Sequence, residues 1–225
     1  MKEGITARRL VLFPCFAGWM QDLTNMKNIQ TTKNVAAVIL AGGKSRRMGR
    51  DKLEMDFGGM SLLESAVQRF AEEFENVYVS IADADKYPEI TANKVIDIYP
   101  GAGPLSGLHA ALTLIPCDGI FLVAADLPYA SAQTAKHMIE MCAENEACIL
   151  RLPDGRLEPL FGFYRKSLRQ SCGEQIKSGD NRMSQIIYSA DTRYVSPQEL
   201  GDFWDEKMIM NINYPTDYTQ LNNPK

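Results

Sequence analysis

The sequence predicts an α/β protein with a three-layer, doubly wound sheet that is mostly parallel and carries an antiparallel insertion. Strand-like and helix-like patterns alternate from residue 35 onward, as they do in parallel sheets built from βαβ units. Several strand-like runs are apolar throughout, which is typical of strands that helices cover on both faces. A Pro-Asp-Gly turn at residues 153–155 separates two later strand-like runs, and it indicates a hairpin.

The first half of the chain contains a regular succession of elements. The run Val35–Leu40 is uniformly apolar and ends at glycines, so we expect the first buried strand there. Ser61 and Glu64 have the spacing of a capping box, and apolar residues at helical spacing follow them. The further elements expected are strands over residues 76–81, 95–96 and 119–125, and helices from Pro104 to about Ile115 and from Ser131 to about Ala143.

The second half of the chain has a looser rhythm. Residues 147–152 and 159–164 have the composition of two strands, and the turn between them predicts that they are antiparallel. The remaining elements expected are helices over residues 166–178 and 182–189, short strands over 194–195 and 208–210, and a final helix that begins at Pro215. Because ligands of doubly wound sheets bind at the carboxyl ends of the strands, the residues that follow each strand are the first candidates for a site.

The N-terminal 25 residues differ from the rest. Arg8 and Arg9 precede a short apolar run, which gives a faint likeness to a signal peptide, but the run contains Pro14 and is too short to cross a bilayer. A second methionine, Met26, begins a polar lead into the first strand. We therefore expect residues 1–25 to be an extension that is disordered or lies outside the mature protein, and residues 26–225 to form a single domain.

The composition describes an ordinary globular protein and excludes several functional classes. The chain has 225 residues, of which 45% are hydrophobic, and its net charge is −4. That charge gives no general attraction for nucleic acid or anionic membranes, so a polyphosphate ligand needs a local basic patch. The five cysteines form no Cys-x-x-Cys pair, which argues against a zinc site or a disulfide framework and predicts reduced thiols in the cytoplasm.

The strongest candidate for a binding loop follows the first strand, over residues 40–52. Its glycines allow the backbone to approach a ligand and to turn its amides inward, which suits phosphate oxygens. Five cations and one acid lie between Lys44 and Lys52. The segment is not a Walker A loop, because Val38 stands where that motif needs a glycine. The alternative interpretation is a glycine turn beside a solvated basic stretch.

Two further segments place a carboxylate at the end of a predicted strand. Asp97 precedes the glycine loop 101–107, which has one residue too many for a dinucleotide-binding fingerprint. Asp126 follows the buried strand 119–125, where a carboxylate can hold Mg2+ while substrate phosphates fill the other coordination positions. Each aspartate, taken alone, is also compatible with an ordinary turn.

The order and spacing of these motifs carry a family resemblance from about Asn34 to about Leu221. The motifs are Leu40-Ala41-Gly42-Gly43 with Arg47-Met48-Gly49 and Asp51-Lys52, Asp97, Gly103-Pro104-Leu105 with Gly107, Asp126-Leu127-Pro128, Glu158-Pro159-Leu160, and Asn211-x-Asn213-x-Pro215. A chain with these motifs resembles the molybdenum cofactor guanylyltransferases, within the wider family of MobA-like nucleotidyltransferases. The resemblance implies a Rossmann-like nucleotidyltransferase fold.

The resemblance also implies a role for particular residues. Lys52 would bind the triphosphate and Asp126 would hold Mg2+, and these two residues are the catalytic candidates. Asp97 would lie by the base and ribose, whereas Asn211 and Asn213 would face the acceptor. Ser80 departs from the asparagine that relatives carry at the end of the second strand. The residues assigned to the nucleotide and its metal are Leu40, Ala41, Gly42, Gly43, Arg47, Lys52, Ser80, Asp97 and Asp126.

The reaction implied is the Mg2+-dependent transfer of GMP from GTP to the terminal phosphate of molybdenum-molybdopterin. Gly42 and Gly103-Pro104-Leu105 are similar to the guanine-using branch, because relatives that use CTP tend to have alanine at the position of Gly42. Two alternatives stay open. One is a CTP-dependent molybdopterin cytidylyltransferase or another transferase with a different phosphorylated acceptor. The other is a non-catalytic nucleotide-binding carrier. Partners from molybdoenzyme maturation are also expected, whereas nucleic acid and membranes are not.

Overall fold

The computed structural model describes residues 34–42 and 51–212, which form a seven-stranded mixed sheet with helices on both faces. The spatial order of the strands is β3-β2-β1-β4-β6-β5-β7. Six strands run in one direction and only β6 is antiparallel to its neighbours. The strands are β1 Val35–Leu40, β2 Val77–Ile81, β3 Asn93–Ile96, β4 Gly119–Ala124, β5 Ala147–Arg151, β6 Leu157–Arg165 and β7 Thr192–Val195.

The helices begin where the capping residues are. Ser61 and Glu64 exchange both hydrogen bonds of the predicted capping box, Ser131 caps the third helix, and Pro104 is the first residue of the second. The helices are α1 Leu62–Ala71, α2 Pro104–Leu114, α3 Ala132–Cys142, α4 Arg169–Lys177, α5 Met183–Ser189 and α6 Pro197–Leu200. None of them is long and apolar enough to cross a membrane, as far as the described residues are concerned.

The central strand β1 shows why the sheet is covered on both faces. Val35, Ala37 and Ile39 belong to one hydrophobic core, which they share with α1 and α3. The residues that alternate with them belong to a second core, which is shared with α2, α4 and α5. A strand with two buried faces needs apolar side chains at every position, so the uniform run in the sequence is accounted for. The predicted three-layer α/β fold is confirmed.

The antiparallel insertion is also confirmed. The turn at Pro153-Asp154-Gly155 joins β5 to β6, and Gly155 adopts a φ of +84°, which glycine accommodates without strain. The strand β6 then enters the sheet between β4 and β5 and is antiparallel to both. The hairpin therefore extends the sheet beyond β4, and β7 pairs in parallel with β5 at the far edge.

One predicted element is wrong, and one element of the structure was not predicted. The strand predicted over residues 208–210 is wrong, because Glu206–Ile209 is a 310 helix whose first turn is capped by the side chain of Asp205. The short helix α6 was not expected, although Ser196 and Glu199 form a capping box ahead of it. The helix predicted from Pro215 and the extension 1–25 lie outside the described residues.

The cysteines within the described residues are all free thiols, and three of them are buried. Cys15 lies outside the described part of the chain. The absence of a disulfide framework among the five cysteines stays a prediction.

Candidate active site

The carboxyl ends of β1, β2 and β4 meet at one edge of the sheet. The main-chain N–H of Ala41 donates to the carbonyl of Ser80 at 2.9 Å, and the N–H of Ala125 donates to the carbonyl of Leu40 at 3.1 Å. Leu40 and Ala41 are buried, whereas Gly42 is exposed. The parallel register thus brings together three segments that the sequence marked as candidates, at the edge where ligands of such sheets bind.

The helix α2 approaches this edge with its backbone, at Gly107. A Cβ atom at that position would lie 2.5 Å from Cδ2 of Leu40 and 2.6 Å from Oγ of Ser80. A side chain fits there only if the side chains of both Leu40 and Ser80 shift, since real Cβ contacts are longer. Gly107, the second glycine of the Gly-Pro-Leu-Ser-Gly motif, therefore allows the first turns of α2 to pack directly on the ends of β1 and β2.

Asp97 lies at the end of β3, and its N–H donates to the carbonyl of Ile81 at 3.0 Å. Its carboxyl group is half-buried between the hydroxyls of Ser106 and Ser80. Burial raises the pKa of Asp97, while the two serine hydroxyls act in the opposite direction. Ser80 is itself buried. The loop that follows contains Gly101 and Gly103, both at positive φ, where glycine is favoured.

Lys52 and Asp126, the two catalytic candidates, form an ion pair although they are 74 positions apart in the chain. Nζ of Lys52 donates to Oδ2 of Asp126 at 2.7 Å and to the main-chain carbonyl of Ile212 at 3.2 Å. The N–H of Ile212 in turn donates to the carbonyl of Asp126 at 3.1 Å. About a fifth of the Lys52 side chain and a quarter of that of Asp126 remain exposed, at 20% and 24%, so both charges can still reach a ligand.

The contact with Ile212 also locates the predicted acceptor residues. Asn211 is exposed and is the neighbour in the chain of Ile212, whose main chain contacts both members of the ion pair. Asn213, Gly43 and Arg47 lie outside the described residues. No signal in the sequence indicated that the carbonyl of Ile212 contacts Lys52, since a main-chain contact depends on the path of the chain and not on the residue type.

Asp51 is a second site residue to which the sequence assigned no role. It accepts hydrogen bonds from the N–H of Leu53 at 3.2 Å, from Oη of Tyr87 at 2.7 Å and from Nζ of Lys86 at 3.2 Å. Burial opposes its ionisation, but the hydrogen bonds from Tyr87, Leu53 and Lys86 together hold the pKa of Asp51 below its usual value. Asp51 is therefore a carboxylate that caps the 310 helix Lys52–Glu54.

The donor set suits a metal ion that arrives with its ligand. Among the described residues there is no cluster of three histidine, cysteine or acidic side chains. Asp126 contributes a single partly exposed carboxylate, of which Oδ2 is bound to Lys52. Mg2+ is commonly held by one or two carboxylates together with water and substrate phosphates. The residues present therefore fit Mg2+ that is bound jointly by Asp126 and a polyphosphate.

A neighbouring cleft is unsuitable for phosphates. It has a volume of about 440 Å³ and is lined by the carboxylates of Glu54, Asp56, Glu64 and Glu89. Four acidic side chains repel a polyphosphate, whereas the edge of the sheet presents Lys52 beside the glycine-bearing end of β1. Electrostatics therefore favours the edge of the sheet as the ligand site.

Residues 37–194 of the chain match the family model described as the MobA-like NTP transferase domain. The match spans β1 to β7, and thus includes Lys52, Asp97 and Asp126.

Curated relatives cover most of the chain. It is 30% identical over 193 residues to the probable molybdenum cofactor guanylyltransferase of Geobacillus sp. (strain WCH70), which covers 83% of this chain and 97% of that protein. It is 32% identical over 187 residues to the molybdenum cofactor guanylyltransferase of Syntrophotalea carbinolica, which covers 81% of this chain and 88% of the relative.

Solved structures share the fold at lower sequence identity. Molybdopterin-guanine dinucleotide biosynthesis protein A from Archaeoglobus fulgidus superposes with a TM-score of 0.72 at 23% identity, over 82% of this chain and 95% of that one. The 2-C-methyl-D-erythritol 4-phosphate cytidylyltransferase from Thermus thermophilus gives a TM-score of 0.59 at 15% identity, over 81% and 94% of the two chains. The fold is therefore shared by proteins named for different nucleotides and acceptors.

Proposed function

The chain belongs to the MobA-like NTP transferase family, and from that premise we propose that it transfers GMP from GTP to the terminal phosphate of molybdenum-molybdopterin, with release of pyrophosphate. The observation that carries the proposal is the ion pair between Lys52 and Asp126 at the carboxyl edge of the sheet. The pair puts one cation and one carboxylate beside the end of β1, which supports roles for them in binding a triphosphate and Mg2+. The names of the relatives from Geobacillus and Syntrophotalea support the choice of nucleotide and acceptor.

The chemistry needs positioning more than proton transfer. A phosphate monoester has a second pKa of about 6, so the attacking phosphate of the acceptor is already largely anionic near neutral pH. No general base is then required, and none of the described side chains that meet at the edge of the sheet is a histidine. The protein would contribute in-line orientation of the two phosphates and neutralisation of their charge.

Each candidate site residue that the structure describes has a part in this proposal. Lys52 would bind the triphosphate, and Asp126 would hold Mg2+, which supplies the charge neutralisation of the phosphates. The backbone of Leu40, Ala41 and Gly42 would contact the nucleotide. Asp97 would lie by the base and ribose, and the hydroxyls of Ser80 and Ser106 are near its carboxyl group.

Guanine is favoured by the names of the guanylyltransferase relatives and by the similarity of Gly42 and Gly103-Pro104-Leu105 to the guanine-using branch. The second candidate function is a CTP-dependent transfer, because the same fold occurs in the cytidylyltransferase of Thermus thermophilus. Base preference is therefore the property that separates the two candidates.

The test is nucleotide turnover by the purified full-length protein with Mg2+ and molybdenum-loaded molybdopterin, with GTP and CTP offered separately. We expect pyrophosphate release with GTP only, and its loss when a chelator removes Mg2+. Activity with CTP alone would move the protein to the cytidylyltransferase candidate. Absence of turnover with both nucleotides would contradict the proposal and favour another acceptor or a non-catalytic carrier.

The cellular setting follows from the same proposal. We expect a cytoplasmic enzyme that passes its product to molybdoenzyme maturation proteins. The free, buried thiols of the described residues support a reducing compartment.

A further inference from the structure

Tyr87 lies in the connection between β2 and β3, and its side chain reaches both sides of the binding loop. Its hydroxyl donates to Oδ2 of Asp51 at 2.7 Å and lies 3.5 Å from the main-chain carbonyl of Ala41. Ala41 follows β1, and Asp51 caps the 310 helix that carries Lys52. One buried hydroxyl thus contacts the end of β1 and the support of the triphosphate-binding lysine.

The backbone of Tyr87 is held in an unfavourable conformation. Its φ is +52°, which is uncommon for a bulky residue, and the residue is only 2% exposed. Nζ of Lys94, on β3, donates to the carbonyl of Tyr87 at 2.8 Å and to that of Lys86 at 3.1 Å. Such strain persists only where the surroundings determine the conformation, and it is concentrated at functional sites.

The charges around the hydroxyl keep it a donor. Burial, together with the hydrogen bond to Asp51, raises the pKa of Tyr87 well above its ordinary value, so the phenol stays protonated. Lys86 binds the same carboxylate oxygen as Tyr87 and lies over the tyrosine ring. Asp51 therefore accepts two side-chain hydrogen bonds from the 86–87 turn while it caps the N–H of Leu53.

We propose that Tyr87 is a positioning residue, which sets the place of Lys52 relative to the end of β1 by holding Asp51. The inference rests on the proposed function in one respect, which is that the triphosphate is the ligand of Lys52. Its structural part, the restraint of the 310 helix Lys52–Glu54 by the hydroxyl of Tyr87, can be tested in the protein without nucleotide.

The experiment compares Tyr87→Phe with Tyr164→Phe in the full-length protein. Tyr164 is a matched control, because it is buried and its hydroxyl also donates a hydrogen bond of 2.7 Å, to the carbonyl of Pro159 on β6. The first measurement is amide hydrogen exchange at Leu53, Glu54 and Met55 without nucleotide. The second is the KM for GTP, measured alongside kcat.

We expect Tyr87→Phe to speed exchange at these three amides and to raise the KM for GTP about tenfold, which corresponds to one hydrogen bond to a charged group. Its kcat should change less than its KM. Tyr164→Phe should change neither exchange at these amides nor the KM. In an Asp51→Asn background, Tyr87→Phe should add little, because its effect passes through Asp51.

Unchanged exchange at Leu53, Glu54 and Met55 in Tyr87→Phe would overturn the proposal. Faster exchange with an unchanged KM for GTP would overturn it as well, since Lys52 would then be positioned without Tyr87. If the wild-type protein does not use GTP, the proposed function fails, and the exchange measurement alone still decides whether Tyr87 restrains the 310 helix.

Discussion

The Lys52–Asp126 ion pair places two opposite charges where phosphate oxygens and a metal ion would compete for them. The pair is part-buried, so the cost of removing both charges from water offsets much of their attraction. The ion pair by itself is therefore weak evidence for stability. The additional hydrogen bonds to Ile212 indicate that the fold maintains the geometry of the ion pair and does not depend on its strength.

Asp126→Asn is expected to reduce turnover at least about 100-fold, because a metal ion stabilises transition-state charge by several kcal/mol and the amide is a poor ligand for it. The unfolding free energy should change by no more than about 1 kcal/mol. Turnover and urea unfolding are the two measurements. Asp154→Asn is the control, since Asp154 is 66% exposed in the hairpin turn. Turnover of Asp126→Asn close to that of the control would remove Asp126 from the reaction.

At the scale of the elements, the site depends on how closely α2 approaches the sheet. Gly107 is the point of contact with Leu40 and Ser80, and Ser80 adjoins Asp97. Gly103 has a positive φ and is the last residue of the preceding loop, and Pro104 is the first residue of α2. The Gly-Pro-Leu-Ser-Gly motif is therefore a packing motif, which brings the helix to the strand ends that form the site.

Gly107→Ala is expected to destabilise the protein, because two buried side chains on different strands must move. Overpacking of this kind costs about 1–3 kcal/mol, and the gain in helix propensity offsets up to about 1 kcal/mol. The control is Gly173→Ala in α4, where the nearest contact of the added Cβ would be Nε2 of His109 at 3.0 Å, in place of the contacts of 2.5 and 2.6 Å at Gly107. Urea unfolding measures both. A Gly107→Ala variant as stable as Gly173→Ala would contradict the packing argument.

At the scale of the whole molecule, the net charge of −4 contrasts with the local cations of the binding loop. This net charge gives no general attraction for anions, so the proposed binding of a polyphosphate depends on where the local cations lie. A second group of cations lies between α2 and α4, where Arg169 and Lys177 line a cleft of about 430 Å³ beside His109, with Glu174 and Tyr99 at its walls. This group affects the response of the fold to pH.

Stability is expected to fall as the pH decreases from about 7.5 to about 5.5, in part because of His109. Burial lowers the pKa of His109, and the charges of Arg169 and Lys177 lower it further. Since the unfolded histidine has a pKa of about 6.5, the unfolded state binds more protons in this window. The stability due to neutral His109 is thus present above about pH 6.5 and is lost as the pH falls through the folded-state pKa.

The measurement is the Tm of the wild type and of His109→Gln across this pH range. The wild type should lose more stability than His109→Gln, whatever the stability of the variant at the upper pH. His137→Gln is the control, because it distinguishes the loss of the buried His109 from the loss of a histidine in general. Equal pH dependence in the wild type and His109→Gln would show that His109 does not contribute.

The elements that could be predicted from the sequence are those with a strong local signal. The apolar run of β1, the capping box of α1 and the turn at Gly155 each depend on residues that are neighbours in the chain. The three apolar residues at 208–210 were a weaker signal. They are compatible with a strand and with a 310 helix, and the cap at Asp205 decided between the two.

The candidate site could be predicted in part for a related reason. In a parallel sheet the carboxyl ends of the strands share one edge, so Leu40, Asp97 and Asp126 were expected to lie near one another. The family resemblance assigned roles to Lys52 and Asp126, but their ion pair was not predicted. The contact between Tyr87 and Asp51 had no local signal, because the two residues are 36 positions apart and neither spacing nor composition links them.

The sequence by itself therefore determined the fold class, most of the elements and the candidate segments for a site, because periodicity, capping and turn residues act over a few positions. Only the tertiary structure decided that β6 enters between β4 and β5, that Gly107 brings α2 onto the strand ends, and that Tyr87 holds Asp51. These features depend on the packing of distant segments, and packing selects among many chain paths that satisfy the same local patterns.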